Sequence, residues 1–358
     1  MAKEITQHYI YPKITIENIN YQLNNKIVIR KQMTMNHLSK ILSFMVLIPL
    51  MMMSCGKSKS QENVIAEVEK KNSIYHWKTT FNLDSVEVDF LKKHDVKRIY
   101  LHMFDVVFES NAVDTEIVPI ATTKFITKVP EGVEIVPVAY ITIDALRYLD
   151  GNKDKVKEYA PLIVERLLAM CSYNECGTIN ELQLDCDWTS TTQETYFKLC
   201  EMVKSLLQNK NIDLSVTIRL HQLKDDVPPA DRGVLMLYNT GALKDKNTKN
   251  SILDIANVKP YLKKRKYGIP LDYAYPCYGW GIKFDKGNFA GIVGENYTPA
   301  NSDEKVRVER ATVSEVLDVK KLVEEKLGKP YSGNILYHLD EAQLKHYTED
   351  EINQILVY

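Results

Sequence analysis

Glu181-Leu182-Gln183-Leu184-Asp185-Cys186-Asp187 and Asp213-Leu214-Ser215-Val216-Thr217-Ile218-Arg219-Leu220-His221 both carry apolar and polar side chains in alternation. Successive side chains of a strand point to opposite faces, so each stretch has two faces of different chemistry. Leu182, Leu184 and Cys186 share one face of the first; Gln183, Asp185 and Asp187 share the other. In the second, Leu214, Val216, Ile218 and Leu220 oppose Ser215, Thr217, Arg219 and His221. If helices cover these strands, the apolar sets must meet them and the polar sets must point into a lumen. Barrel lumens are ordinarily filled with branched aliphatics. Burying Asp, Arg and His there costs on the order of several kcal/mol unless they pair or meet water. The polar lumen therefore points to a site, the bland alternative being a structural ion pair such as Arg219 with Asp185.

Outward from these two stretches, the chain repeats a beat of apolar strand and amphipathic helix. Further strands are expected at Ile74–Trp77, Arg98–Phe104, Glu134–Ile141, Gly233–Asn239, Gly268–Tyr275 and Asn334–Leu339. Helices are expected at about 85–94, 154–171, 192–209, 251–265 and 314–327. Eight strands alternating with helices predict an α/β fold, a single (β/α)8 TIM-type barrel over residues 74–358. A doubly wound open sheet is the alternative, but no Gly-rich phosphate turn follows the first strand. Residues 277–312 are too long for a plain connection and hold Gly279, Gly281, Gly287, Gly291 and Gly294. They are read as an insertion after strand seven, at the rim where barrel enzymes keep their active sites.

The N-terminus reads differently. Residues 41–53 are an uncharged apolar run after Lys40, short for a membrane span but of signal-peptide length. The run ends in Met53-Ser54-Cys55-Gly56, which resembles the lipobox of bacterial lipoproteins, with Met52 where leucine is usual. Residues 1–54 are accordingly expected to be an over-extended start plus a removed signal peptide, with Met33 or Met35 as the natural beginning. Cys55 would carry the lipid, and the polar segment to residue 73 would tether the domain with a reach of roughly 25 Å. That predicts an exported protein anchored to a bacterial membrane, the outer membrane being the expected one.

Lys+Arg 46 against Asp+Glu 47 leaves no charge surplus, which argues against nucleic acid as a partner. Cys171, Cys176, Cys186, Cys200 and Cys277 contain no C-x-x-C pair, and Tyr75-His76-Trp77 lacks paired histidines, so neither metal nor cofactor is expected. Cys171 and Cys176 are candidates for a disulfide in an oxidising compartment; Cys186 and Cys200 read as small core residues.

The catalytic face of such a barrel lies at the C-terminal ends of its strands. His76, His102, Tyr140, Tyr238, Asn239, Asp272, His338 and Asp340 are expected there beside Asp185, Asp187, Arg219 and His221. Trp188 and Trp280 are the expected platforms for sugar rings. Carboxylates, imidazoles, an arginine and tyrosines together suit a glycan or another polyhydroxylated ligand.

Met236-Leu237-Tyr238-Asn239 matches the Met-x-Tyr-Asp/Asn signature on strand six of the chitinase-like family 18 glycoside hydrolases. Asp185-Cys186-Asp187-Trp188-Thr189 resembles that family's Asp-x-Asp-x-Glu at the end of strand four, with Thr189 where the acid would stand. Shifted by two residues, Asp187 takes the acid's place and Asp185 that of its neighbour. Tyr337-His338-Leu339-Asp340 loosely resembles the family's Trp-x-Leu-Asp, whereas Val138-Ala139-Tyr140-Ile141-Thr142 lacks its Gly-rich motif. The resemblance implies glycoside hydrolysis, with Asp185 and Tyr238 orienting a substrate acetamide and Asp187 in acid/base work. Thr189 favours the alternative, a non-catalytic glycan-binding barrel. A metal-dependent hydrolase using His76, His102, His338 and an aspartate is the third reading.

Overall fold

A computed structural model describes residues 69–110, 115–263 and 266–358. The signal peptide, Cys55 and the tether to residue 68 lie outside them. The eight barrel strands are β1 (Asn72–His76), β2 (Val96–Ser110), β3 (Glu134–Ile141), β4 (Glu181–Cys186), β5 (Asp213–Arg219), β6 (Arg232–Met236), β7 (Leu271–Pro276) and β8 (Asn334–Tyr337). Each pairs in parallel with its sequence neighbours, and β1 pairs with both β2 and β8, which closes the sheet. The expected (β/α)8 barrel is the observed one.

The parity reading holds on β4 and β5. Leu182, Leu184, Cys186, Leu214, Val216 and Ile218 are fully buried in the large outer core shared with the helices. A second, separate apolar cluster contains Tyr75, Tyr100, Val136, Val138, Val234, Met236, Ala274 and Ile335. It fills the lumen: the Tyr75 hydroxyl on β1 crosses the barrel to donate to Gln183 Oε1 on β4 at 2.7 Å.

The layers of the lumen differ in chemistry. At the N-terminal end of the strands, Arg98 and Arg232 flank the buried Glu181, at 3.9 and 3.3 Å, and Arg98 also bonds Glu134 at 3.0 Å. These charges compensate one another and close the barrel's floor. In the middle layer, Gln183 continues from Tyr75 to the Ser215 hydroxyl at 3.1 Å. Asp185, Thr217 and Arg219 form the layer above.

Helices cover the outside as the amphipathic pattern predicts: α1 (Ser85–Lys93), α2 (Ile143–Gly151), α3 (Lys155–Tyr173), α4 (Gln193–Gln208), α5 (Ile255–Val258), α6 (Val313–Leu327), α7 (Glu341–Leu344) and α8 (Glu349–Leu356). Asp84 begins α1 with a capping box, its side chain accepting from Glu87 N. The helix expected over 251–265 shrinks to α5 and a 3-10 turn at Lys259–Tyr261, because Pro260 withholds an amide proton. Strand β2 outruns its expected end at Phe104, and the pairing of Thr115–Ile120 back onto it makes an antiparallel hairpin. The expected insertion after β7 is a three-stranded antiparallel sheet of Gly279–Asp285, Asn288–Val293 and Glu304–Arg310.

At the start of the barrel, Lys71 N donates to Ser332 O at 2.7 Å and Lys70 Nζ to Pro330 O at 2.7 Å. The described cysteines are all unbonded and buried, Cys171 and Cys176 at the end of α3 included.

Candidate active site at the barrel mouth

The mouth is built on β4 and β5. Asp185, 3% exposed, accepts from the Thr217 hydroxyl at 2.5 Å and from Arg219 at 2.9 Å, both through Oδ1. Strand β4 ends at Cys186, so Asp187 stands just past it with its side chain 56% exposed. Strand β5 ends at Arg219, and His221 sits in the 3-10 turn Leu220–Lys224 with Nε2 3.5 Å from Asp187 Oδ1. Neighbouring strand ends thus bring together two pairs, the Asp185–Arg219 ion pair below and the Asp187–His221 carboxylate–imidazole contact just past the strands. Gln222 anchors the turn by donating to Trp188 O at 2.9 Å and accepting from Arg219 N at 2.8 Å. Thr189 is exposed, and its hydroxyl lies 2.9 Å from that of Thr191.

From β3, Tyr140 lies in register with Asp185. Its phenol is pushed above the ordinary range by burial first, then by the Asp185 charge. A lane of rings crosses the mouth beside these groups. Tyr238 stacks on Tyr337 at 4.3 Å, and Tyr337 meets Tyr75 at 5.7 Å and Trp77 at 6.0 Å. Towards the inserted sheet, Tyr278 stands edge-on to Tyr238 at 6.3 Å and to Trp280 at 5.2 Å. The Tyr278 hydroxyl is 2.7 Å from Asn239 Oδ1, and the Trp280 indole N–H donates to Glu309 Oε2 at 3.0 Å. Burial, then neighbouring Tyr337, raises the pKa of the Tyr238 phenol well above the ordinary value. The tyrosines at this mouth are therefore neutral hydroxyls throughout the neutral range. Buried carboxylate, guanidinium and phenols below, a carboxylate–imidazole pair above and rings alongside can grip a hydroxylated ring and move a proton at its edge.

Of the expected residues, the structure brings together Asp185, Asp187, Arg219, His221, Tyr140, Tyr238, Asn239 and, through Tyr278, Trp280. His102 is close by but already occupied, its Nε2 2.7 Å from Asp105 and its ring 5.0 Å from that of Trp77. His338 packs against Tyr337 and Tyr278, and burial pulls its imidazole pKa down.

Four expectations are corrected. Trp188 is fully buried against Tyr196 and Phe197 on α4, because the chain turns outward after Asp187; it is core, not a sugar platform. Asp272 is at the opposite end of the barrel, since β7 begins at Leu271 and not Gly268. There it accepts from Ser332 N at 2.6 Å and Gly333 N at 3.0 Å. His76 faces outward beside Phe81 at 5.1 Å, the parity of β1 sending Tyr75 inward instead. Asp340 caps α7 by accepting from Ala342 N at 2.9 Å and pairs with Lys78 at 3.4 Å. Tyr75, Trp77, Tyr278, Tyr337 and Thr217 went unnamed as site residues, although the alternation of β1, β5 and β8 contained the signal for four of them.

No protein-family model and no curated protein sequence matches the chain. Solved structures do. The spore cortex-lytic enzyme SleL of Bacillus megaterium QM B1551 superposes with TM-score 0.51 at 14% identity, over 81% of this chain and 75% of that one. The spore cortex-lytic enzyme SleL of Bacillus cereus gives 0.50 at 15%, over 81% and 75%. A chitinase from Chromobacterium violaceum ATCC 12472 gives 0.49 at 11%, over 80% and 98%. The likeness is one of architecture: this chain has a closed (β/α)8 barrel on which the two SleL enzymes superpose.

Proposed function

We propose that this protein hydrolyses O-glycosidic bonds in a glycan bound across the barrel mouth. The observation that carries the reading is the Asp185 carboxylate, held by Thr217 and Arg219 beside the Tyr238–Tyr337 stack. Cleavage needs negative or nucleophilic help near the anomeric carbon and a proton at the leaving oxygen. Asp185 and Tyr238 suit the first task, as the chitinase-like pattern implies for a substrate acetamide. Asp187, just past the end of β4 at the lip, serves the proton transfer together with His221, 3.5 Å from it. Asp187→Asn should lower kcat on a natural glycoside by about 10²–10⁴ with little change in KM. An activated aryl glycoside, which needs no protonation, should suffer far less. Equal, mild losses on both substrates would remove Asp187 from this role.

Thr189 supports a second reading, a glycan-binding protein without turnover. A threonine hydroxyl is no proton donor at neutral pH, and here it spends its reach on Thr191. Binding of a glycan panel with no cleavage of any member would establish it. In either case we propose that the protein is exported and held on the outer membrane through lipid on Cys55.

A further inference from the structure

We infer that His221 is the proton donor at this site, with Asp187 as the group that orients it; the inference rests on the hydrolytic reading above. Three observations lead here. Thr189 removes a carboxylic acid from the position where the strand-four pattern would supply one. Asp187, the remaining carboxylate at the lip, has an imidazole nitrogen 3.5 Å from its Oδ1. That imidazole is built in: it follows Arg219 by two residues, directly above the Asp185–Arg219 pair, in a turn fixed by Gln222.

The pairing decides which of the two groups gives the proton. The carboxylate faces Nε2 and is spent on holding the ring, which leaves the ring to move the proton. Imidazole is also the side chain whose ordinary titration falls near neutrality. With Nε2 turned to Asp187, the proton on Nδ1 is the one free to leave; both ring nitrogens are donors in the charged form. The division of labour is that of any carboxylate–histidine pair, the carboxylate fixing the ring and the ring moving the proton.

The step balances. The bond between anomeric carbon and leaving oxygen breaks, its electron pair stays with the oxygen, and the oxygen takes the proton from His221. A water oxygen finally bonds to the anomeric carbon and its proton returns to the imidazole. The charged groups facing this pair are Asp185 below on β4 and Arg219 on β5, together with the Tyr140 phenol on β3; Arg219 and Tyr140 both feel the Asp187 charge.

The test compares the parent with His221→Gln on two probes, chitotetraose and 4-nitrophenyl N,N′-diacetyl-β-chitobioside. Chitotetraose leaves with a sugar alkoxide and needs the proton; 4-nitrophenolate does not. His221→Gln should cut kcat on chitotetraose by about 10²–10⁴ and on the aryl probe by less than about tenfold, with KM unchanged. Asp187→Asn, which frees the ring, should show the same split between the two probes, kcat on chitotetraose falling with KM unchanged. His221 is partly exposed, and an unchanged near-UV circular dichroism spectrum confirms the fold. Turnover of chitotetraose within threefold of the parent in His221→Gln would overturn the assignment while leaving hydrolysis intact. A parent that retains chitotetraose in affinity electrophoresis but cleaves neither probe would instead overturn the hydrolytic reading, and the donor with it.

Discussion

His76 offers a quantitative test of the outward face of β1. It is 1% exposed beside Phe81, with Nδ1 lacking a hydrogen-bond partner among the described residues. Burial, followed by the Lys78 charge, lowers its pKa to about 4. An unfolded histidine titrates near 6.5, a gap of roughly 2.5 units, and each unit is about 1.4 kcal/mol. The sign follows from proton counting. Between about pH 6.5 and 4 the unfolded chain binds a proton at this ring and the folded chain does not, so stability falls as pH falls through that window. The full loss is about 3 kcal/mol, of which about 2 arrives between pH 7 and pH 5. His76→Leu keeps an apolar side chain against Phe81 and removes the titration. Urea unfolding followed by tryptophan fluorescence at pH 7 and pH 5 should show the parent losing about 2 kcal/mol more than the variant. Identical losses in both proteins would mean that His76 stays hydrated in the folded state. The outward, buried placement would then be wrong.

Other expectations follow from the same layers. Asp272→Ala should destabilise the barrel by about 3 kcal/mol in urea unfolding, because two buried amides on the turn before β8 lose their acceptor, whereas glycan retention should be untouched. Tyr238→Ala should weaken chitotetraose binding in affinity electrophoresis by about tenfold by breaking the stack on Tyr337; unaltered retention would remove the aromatic lane from the site. Cys55→Ser should abolish incorporation of labelled palmitate and maturation at that position; a variant that fractionates and is processed like the parent would end the lipoprotein reading.

The fold was legible because its signal is periodic. Alternation on β4 and β5 separated an apolar face from a polar one, and the strand–helix beat around them left few architectures. The site was legible where the same alternation was applied, which is why Asp185 and Arg219 meet; Tyr238 was placed by its position at a strand end and by the Met236-Leu237-Tyr238-Asn239 match. It was misread where polar residues near strand ends were taken without asking which way they point. On β1 the parity of buried Ile74 already sends Tyr75 and Trp77 inward and His76 out. On β8, Leu336 does the same for Tyr337. Other errors came from boundaries. Asp272 sits at the floor because its strand starts three residues later than the apolar pattern suggests, and His221 leaves the strand because the backbone tightens into a 3-10 turn at Leu220. Trp188 could not be placed by periodicity, since it lies beyond the last paired residue of β4, where chain direction is set by packing against Tyr196 and Phe197.

The central claim, that the mouth around Asp185 acts on glycans, is tested most directly by incubating parent and Asp185→Asn with one glycan panel and measuring both cleavage and retention. Products would be identified by mass spectrometry and retention by affinity electrophoresis. The account predicts new reducing ends from at least one glycan with the parent, and a loss of at least about 10² in that rate with Asp185→Asn, the fold being intact by circular dichroism. A parent that neither cleaves nor retains any member of the panel would contradict it.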